Sequence, residues 1–237
     1  MKSKSKKYRL FALSSKVYSL HFEESQYINL TEAYYLLVHH LEKVEDVVLT
    51  SNRISLFFEE PIKQTEVEEQ LSGIDFLGFR SKNEFRTWKL PICFDEIFTN
   101  DLGIYFSNDE SKIIAFRKAF LLNLYELSFY GFLPGFPYFS GLPKDLHLDR
   151  KEQPSKQIEK GAVAVGGGYV GIYPQASPGG WQCIGNCPVP MLTTGSSVPT
   201  FMKIGDKVSF YSISLKEYKE IALSVEMDVY KPNHISL

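Results

Sequence analysis

The chain has 237 residues, of which 44% are hydrophobic and 14% aromatic, enough for one large β domain or two ordinary ones. Its net charge of −2 at pH 7 excludes a broad basic surface for nucleic acid. The sequence has no run of 18 apolar residues, so no membrane-spanning helix is expected. No continuous apolar stretch follows the basic start, so no secretory signal is expected either. Three cysteines, an odd number, favour a cytoplasmic protein with reduced thiols.

The only basic cluster comes at the start of the chain, with Lys2, Lys4, Lys6, Lys7 and Arg9. Such a cluster could touch RNA or an acidic lipid surface. A solvated, frayed chain start is the more common role of this pattern and is favoured here.

The first ninety residues alternate between strand and helix patterns. A helix over Leu30–Leu41 would bury Leu30, Ala33, Tyr34, Leu37 and Leu41, with Asn29 or Thr31 as its cap. The other predicted elements are strands at Tyr8–Leu13 and Lys16–Phe22, a hairpin of Val44–Thr50 and Arg53–Glu59 turned at Ser51-Asn52, a polar helix after Pro61, and a strand at Phe85–Ile92. The order ββαββαβ predicts a small α+β domain over residues 1–92, with its helices on one face of a sheet.

The rest of the chain, residues 93–237, is expected to form a second, mainly β domain. Ser107-Asn108-Asp109-Glu110 fits a capping box at the start of a helix that runs to Leu122. The predicted strands are Tyr125–Tyr130, Ala162–Val165, Tyr169–Tyr173, Trp181–Ile184 and Lys207–Ser212, followed by a short closing helix at Lys216–Ser224.

Residues 131–190 hold eleven of the sixteen glycines and eight of the twelve prolines. Aromatic and aliphatic residues are threaded through the segment, so it has buried area that a flexible linker lacks. Tight turns packed onto a sheet are expected here, and the functional surface is expected to lie among them.

Common catalytic and metal patterns are missing from the sequence. The five histidines show no metal-ligand spacing. Cys183 and Cys187 form CxxxC, which could be a redox pair, but two thiols flanking a turn are favoured because the spacing differs from CxxC. Gly166-Gly167-Gly168 lacks the Lys and Ser/Thr of a phosphate loop and predicts a turn or bulge.

The best polar candidates lie within the segment rich in glycine and proline: Arg150, Tyr173, Ser177 and Gln182. An Arg beside an apolar loop can hold a carboxylate through two hydrogen bonds, although a solvated loop Arg is an equal alternative. These residues predict a concave surface with aromatic walls, and they leave the catalytic residues unassigned.

The same segment resembles the family called KipI, PxpB or allophanate hydrolase subunit 1. The family pattern GFxPGFPYLxGL, then PR…PR, then GSVxIxGxQTGIYPxxxPGGWxxIGRTP is matched in order over most of its length. The matching residues are Gly131, Phe132, Pro134, Gly135, Phe136, Pro137, Tyr138, Gly141, Leu142, Arg150, Pro154, Gly161, Val163, Gly171, Ile172, Tyr173, Pro174, Pro178, Gly179, Gly180, Trp181, Ile184, Gly185 and Pro188. Weaker similarity covers VEDVVLTSNRISLFFE and LPICFDEIFTNDL.

The resemblance implies an α+β N-terminal domain plus a mainly-β, cyclophilin-like barrel as the C-terminal domain. It implies a subunit of an ATP-dependent 5-oxoprolinase that has little or no activity alone. The partners would be a PxpC-type protein (allophanate hydrolase subunit 2) and a PxpA-type (LamB/YcsF) protein. ATP would be used by the assembled complex, with no cofactor or metal in this chain. The main alternative is a KipI-like inhibitor of a sensor histidine kinase, and a third, by fold analogy alone, is a peptidyl-prolyl isomerase.

The residues expected to bind substrate or partner follow from the matched motifs, with Gln182 or Tyr173 aimed across a groove. They are Pro134, Gly135, Phe136, Tyr138, Arg150, Tyr173, Ser177, Pro178, Gly179, Gly180, Trp181 and Gln182.

The sequence departs from the family pattern at three places, and two of these departures remove a polar side chain, the His and the second Arg. Phe94-Asp95-Glu96 replaces the YGG of PVCYGG, Phe120 stands at the usual His, and Ser155 replaces the second Arg of the PR run. Arg150 is therefore the surviving candidate cation of this region.

Overall fold

The computed structural model describes residues 8–22, 29–76, 84–195 and 198–235. Residues of the chain form two compact units, Met1–Glu84 and Phe85–Leu237. Lys2, Lys4, Lys6 and Lys7 of the basic cluster lie outside the described residues, and Arg9 lies in the first strand.

The smaller unit contains a four-stranded antiparallel sheet and two helices. Its strands follow the order β1-β2-β4-β3, so the chain builds the sheet mostly from neighbouring hairpins. Its elements are β1 (Tyr8–Ala12), β2 (Val17–Phe22), α1 (Leu30–His40), β3 (Val44–Leu49), β4 (Arg53–Phe58) and α2 (Gln64–Ser72). The predicted order ββαββα and the hairpin around Ser51-Asn52 are confirmed.

The core of this unit is formed by the side chains that alternate positions along the strands place on one face of the sheet. Leu20, Ile54 and Leu56 are fully buried, because every second side chain of a strand points to the same face. Helix α1 is capped by Asn29, one of the two predicted caps, whose side chain accepts a hydrogen bond from the Glu32 backbone. Its predicted face was partly wrong, because the buried residues are Thr31, Ala33, Leu36 and Leu37.

The larger unit is built around a closed, seven-stranded mixed barrel. The strand order is β12-β9-β10-β7-β6-β13-β5, and Asn186 of β12 pairs with Cys93 of β5 to close it. The barrel strands are β5 (Thr87–Cys93), β6 (Tyr125–Tyr130), β7 (Pro137–Ser140), β9 (Ala162–Gly166), β10 (Tyr169–Ile172), β12 (Gln182–Asn186) and β13 (Lys207–Ile213). Strands β8 (Ser155–Ile158) and β11 (Ser177–Gly179) form a separate two-stranded sheet, and β14 (Asn233–Ile235) pairs with β5.

Strand β5 corrects the expected boundary at residue 92. The predicted strand at Phe85–Ile92 exists, but it pairs in parallel with β13 along its whole length, from Thr87 to Cys93. The strand therefore belongs to the barrel, and the division between the units falls at Glu84. Parallel pairing joins segments that are far apart in sequence, so local periodicity could not show it.

In the described residues, three α-helices accompany the barrel: α3 (Glu96–Tyr105), α4 (Glu110–Leu121) and α5 (Leu215–Glu226). Helix α3 was not predicted from the sequence. The cap of α4 is Asp109, which accepts from the Ser111 and Lys112 backbones, so the predicted capping box at Ser107 is wrong. Both Ser107 and Asn108 instead adopt left-handed backbone angles.

The barrel core is continuous and largely aliphatic, with Leu90, Leu127, Val165 and Val208 fully buried. Buried Asp206 ties β5 to the turn before β13, because its carboxylate accepts hydrogen bonds from Trp88 Nε1 and from the Arg86 and Lys203 backbones. In the described part of the chain, no helix has both the length and the apolar character needed to cross a membrane.

Candidate functional site

Four aromatic side chains form a cluster on the outer face of the barrel wall, separate from the barrel core: Phe136, Tyr138, Tyr173 and Trp181, hereafter the aromatic cluster. The Phe136 ring lies 4.9 Å from Tyr173 and 5.6 Å from Trp181, in both cases nearly edge-on. The Tyr138 ring lies 5.3 Å from Trp181 at a similar angle. Such edge-to-face pairs are favourable and directional, so the rings hold one another in place.

Two glycines make this packing fit. A Cβ atom on Gly171 would lie 2.6 Å from the Phe136 ring and 3.0 Å from the Trp181 ring. A Cβ atom on Gly179 would lie closer still to the Tyr173 hydroxyl. The matched glycines of GIYP and PGGW therefore leave room for the rings against the backbone.

Arg150 reaches the aromatic cluster from the loop before β8, and hydrogen bonds from the segment around β11 and β12 fix the position of that loop. Strands β8 and β11 pair, the Lys151 backbone donates to the Gly180 carbonyl at 2.8 Å, and Gln182 Nε2 donates to the Asp149 carbonyl at 2.9 Å. The Arg150 guanidinium is exposed and lies 5.9 Å above the Trp181 ring. The structure thus brings together Arg150, Tyr138, Tyr173 and Trp181.

The remaining predicted site residues have other positions. Gln182 is buried and its amide holds the Arg150 loop, so it is not free to point across a groove as expected. Ser177 donates to the neighbouring Pro178 carbonyl at 3.2 Å, and Pro178 is exposed. Pro134 is exposed, and Gly135 has a left-handed φ of 75° next to Leu192.

Beside the aromatic cluster lies a cleft of about 210 Å³ lined by α3, β8 and β12. Lys151 Nζ lies 2.6 Å from Asp101 Oδ2 and donates to Ser155 Oγ at 2.7 Å. The same Asp101 carboxylate accepts from the Cys183 backbone at 2.8 Å. We call these four residues, Asp101, Lys151, Ser155 and Cys183, the polar cleft.

The thiol and the two tyrosine hydroxyls of these regions are kept in their neutral forms. Burial, reinforced by the negative charge of Asp101, raises the pKa of the Cys183 thiol to about 12, although Lys151 opposes the rise. Burial also raises the pKa of Tyr173 and of Tyr138, and in both cases Arg150 opposes it. At neutral pH the site therefore offers hydroxyl and thiol donors rather than nucleophilic anions.

This arrangement offers paired charges and hydrogen-bond donors for binding. Lys151 Nζ is held between Asp101 Oδ2 and Ser155 Oγ. Among residues 8–22, 29–76, 84–195 and 198–235, no three His, Cys, Asp or Glu side chains come together as a metal site requires. Hydroxyl donors, one exposed guanidinium and an aromatic wall can hold a carboxylate or an amide.

The cysteines differ from the sequence prediction. Cys183 lies within strand β12 and Cys187 follows the end of that strand, so the two thiols do not flank a turn. Both are free, and Cys187 is buried.

The sequence reading missed Asp101 and Lys151. Asp101 lies in the FDEIFTNDL segment, where the family resemblance was already noted, and Lys151 directly follows Arg150. Those two signals, together with a prediction of α3, could have identified the pair.

Comparison with known proteins places these features in a family. The model for the carboxyltransferase domain, subdomain C and D, matches residues 12–202.

Three curated relatives are each named as a subunit of 5-oxoprolinase, the one designated B. The protein of Bacillus subtilis is 32% identical over 160 residues, 65% of this chain and 62% of the relative. That of Haemophilus influenzae is 30% identical over 179 residues, 71% and 79% of the two chains. That of Escherichia coli O157:H7 is 41% identical over 130 residues, 54% and 58%. The matches thus span less than two thirds of two of these relatives.

Solved structures share the fold. The urea amidolyase of Kluyveromyces lactis superposes with a TM-score of 0.74 at 16% identity, covering 96% of this chain and 16% of that one. The urea carboxylase of the same organism gives a TM-score of 0.73, covering 96% and 24%. At this identity the likeness concerns the barrel, its helices and the separate sheet.

Proposed function

Because the chain belongs to the family of carboxyltransferase domains, subdomain C and D, we propose that it is one subunit of a 5-oxoprolinase-type complex. Membership of the KipI, PxpB or allophanate hydrolase subunit 1 family is confirmed by the same match and by the three curated relatives. The observation that carries the proposal is the 30–41% identity to three proteins named as 5-oxoprolinase subunits. We further propose that the barrel is of the cyclophilin-like type and that the two compact units are independent domains.

The proposed reaction opens the ring of 5-oxoproline to give glutamate. ATP would phosphorylate the ring amide oxygen, which makes the carbonyl carbon electrophilic enough for water to attack. The partners would be a PxpC-type and a PxpA-type protein, and they would handle the nucleotide. This chain would have little or no activity alone, and attack on the ring would need the assembled complex.

This chain would supply a wall of the substrate pocket and a docking surface. Arg150 is exposed, and its planar guanidinium can hold a carboxylate of the substrate or of a partner through two hydrogen bonds. Trp181 keeps that guanidinium in place from below. The polar cleft would stiffen the loop that carries it, because Lys151 joins the loop to α3 through Asp101.

Reconstitution tests the proposal. The chain is co-expressed with the PxpC-type and PxpA-type proteins of its own genome, and ATP hydrolysis is measured with and without 5-oxoproline. We expect a co-purifying complex that buries about 1,600 Å² or more per interface, and turnover that needs all the chains. Folded chains that fail to co-elute at micromolar concentration would contradict the subunit assignment. Selective inhibition of a sensor histidine kinase by the free chain would favour the alternative instead.

A further inference from the structure

A second cavity lies between α3 and α4. It has a volume of about 400 Å³, within the range of small-molecule sites. Its lining includes Glu96, Glu110, Ile113, Ile114 and Arg117. Asn100 also borders the cleft beside the aromatic cluster, and the other lining residues take no part in the site described above.

Arg117 is the cation of this cavity, and its hydrogen bonding is incomplete. One terminal nitrogen donates to Thr99 Oγ1 at 3.0 Å, and the guanidinium lies 5.4 Å from the centre of the Phe94 ring. Its Nε atom is buried and has no hydrogen-bond partner. Within the described residues no carboxylate lies within ion-pair distance of Arg117. An atom this deeply buried is closed to the cavity, so an acceptor placed in the cavity would bind the terminal nitrogens of Arg117.

The surroundings show that this cation has been taken partly out of water. Burial lowers the pKa of Arg117, and the negative charge of Glu96 opposes the change. A guanidinium held between a ring face and a hydroxyl is arranged to accept a planar, two-oxygen anion. A carboxylate has that shape.

The remaining lining limits what else the ligand can carry. Glu96 and Glu110 make the cavity lining net negative despite Arg117, so a simple anion would be repelled and an ammonium group attracted. Ile113 and Ile114 precede Arg117 by about one helical turn, so an apolar wall adjoins the guanidinium. Carboxylate, ammonium and apolar side chain are the three parts of an aliphatic α-amino acid.

We propose that the cavity between α3 and α4 binds a free, zwitterionic α-amino acid with an apolar side chain. Arg117 holds its carboxylate, Glu96 attracts its ammonium group, and Ile113 and Ile114 contact its side chain. The proposal does not depend on the assignment as a 5-oxoprolinase subunit.

Titration calorimetry on the full chain tests it with three matched probes. L-Leucine carries both charged groups, 3-methylbutylamine lacks the carboxylate, and 4-methylpentanoate lacks the ammonium group. We expect saturable binding of leucine and binding at least about tenfold weaker for each analogue, the scale of one charged hydrogen bond. Equal binding of all three probes, or no saturable binding of leucine, overturns the proposal.

Variants assign the roles. Arg117→Gln and Arg117→Lys should each weaken leucine binding about tenfold or more, since lysine lacks the planar fork. Lys118→Gln, which removes a neighbouring exposed charge of the same helix, should leave it unchanged. Glu96→Gln should weaken the binding of leucine but not the binding of 4-methylpentanoate. Because Glu96 is exposed, this variant should fold even where the Arg117 variants do not. The proposal is overturned if Arg117→Gln and Lys118→Gln bind leucine with the same affinity. It is also overturned if the Arg117 variants weaken leucine binding only when a partner protein is present.

Discussion

Lys151 and Asp101 form an ion pair of 2.6 Å in which both side chains are nearly buried, at 16% and 15% exposure. Asp101 belongs to α3, and Lys151 belongs to the loop that presents Arg150 beside Trp181. The pair therefore links a helix on the outside of the barrel to the loop of the candidate site. Because Asp101 also accepts from the Cys183 backbone, one carboxylate connects three segments.

Removing that carboxylate should destabilise the chain strongly. Asp101→Asn leaves the Lys151 ammonium partly buried and without its counter-charge, for which we expect a loss of about 3 kcal/mol in the free energy of unfolding. Glu220→Gln is the matched control, because its 3.9 Å pair with Lys216 is exposed and should be worth about 0.3–0.5 kcal/mol. Urea unfolding of the two variants makes the comparison. Equal losses would show that the Lys151 pair is no more than a surface contact.

Alkaline pH should weaken the fold through a buried thiol. Burial raises the pKa of Cys187 to about 12, whereas an unfolded thiol titrates at about 8.5. The stabilising contribution is complete below about pH 8.5 and is lost as the pH rises from there toward 12, because the unfolded state releases its proton first. Between pH 7.5 and 9.5 this thiol alone should lower the free energy of unfolding by about 1.4 kcal/mol.

Cys187→Ala isolates the contribution of this thiol to the pH dependence of the free energy of unfolding. The variant loses some packing at every pH, but its free energy of unfolding should fall by about 1.4 kcal/mol less than that of the unmodified chain over the same interval. Chemical unfolding at the two pH values measures both slopes. Identical slopes would mean that the Cys187 thiol titrates normally in the folded state.

The sequence predicted the longer elements well and the short ones poorly. Strand β4 alternates over all six of its residues and β13 over its first five, so the two-residue period can be seen in the sequence. Strand β11 consists of Ser177–Gly179, three residues that include a proline and a glycine, and such a composition predicts only a turn. Helix α3 is interrupted by non-helical angles at Thr99, which blurs its periodicity.

For the candidate site, the sequence located the residues that motifs mark and missed those that only tertiary contacts reveal. Arg150 and Trp181 were found because both lie in matched motifs, and the structure brings them together. Asp101 was missed because its partner Lys151 is distant in sequence and nothing local indicates the pairing. Gln182 was misread, because its hydrogen bond to the Asp149 carbonyl depends on how strand β12 meets the loop that carries Arg150.

Packing of the aromatic cluster should be intolerant of a single methyl group at Gly171. A Cβ atom there would lie 2.6 Å from a rigid Phe136 ring, so Gly171→Ala should lower the free energy of unfolding by about 1–3 kcal/mol. At Gly180 the nearest atom would be 3.7 Å away, and Gly180→Ala should change it by less than about 0.5 kcal/mol. Thermal unfolding distinguishes the two. A neutral Gly171→Ala would show that the rings can shift and are not held in place.

Arg150 should matter to the assembled complex far more than to the free chain. In the free chain its guanidinium is exposed and contacts the Trp181 face, an interaction of about 0.5–1 kcal/mol, so Arg150→Ala should barely change the melting temperature. If the guanidinium holds a carboxylate of the substrate or partner, the same variant should cost about 1.5–3 kcal/mol in kcat/KM of the reconstituted complex.

Two further variants decide between this role and a solvated loop residue. Arg150→Lys keeps the charge but lacks the planar fork, so it should not restore activity. Lys156→Ala removes an exposed charge from the neighbouring strand β8 and should leave both stability and activity unchanged. The measurement is 5-oxoproline-dependent ATP hydrolysis by complexes that contain each variant. Full activity with Arg150→Ala would mean that Arg150 is solvated and that Trp181 serves only the core, and the docking surface would then have to lie elsewhere on the barrel.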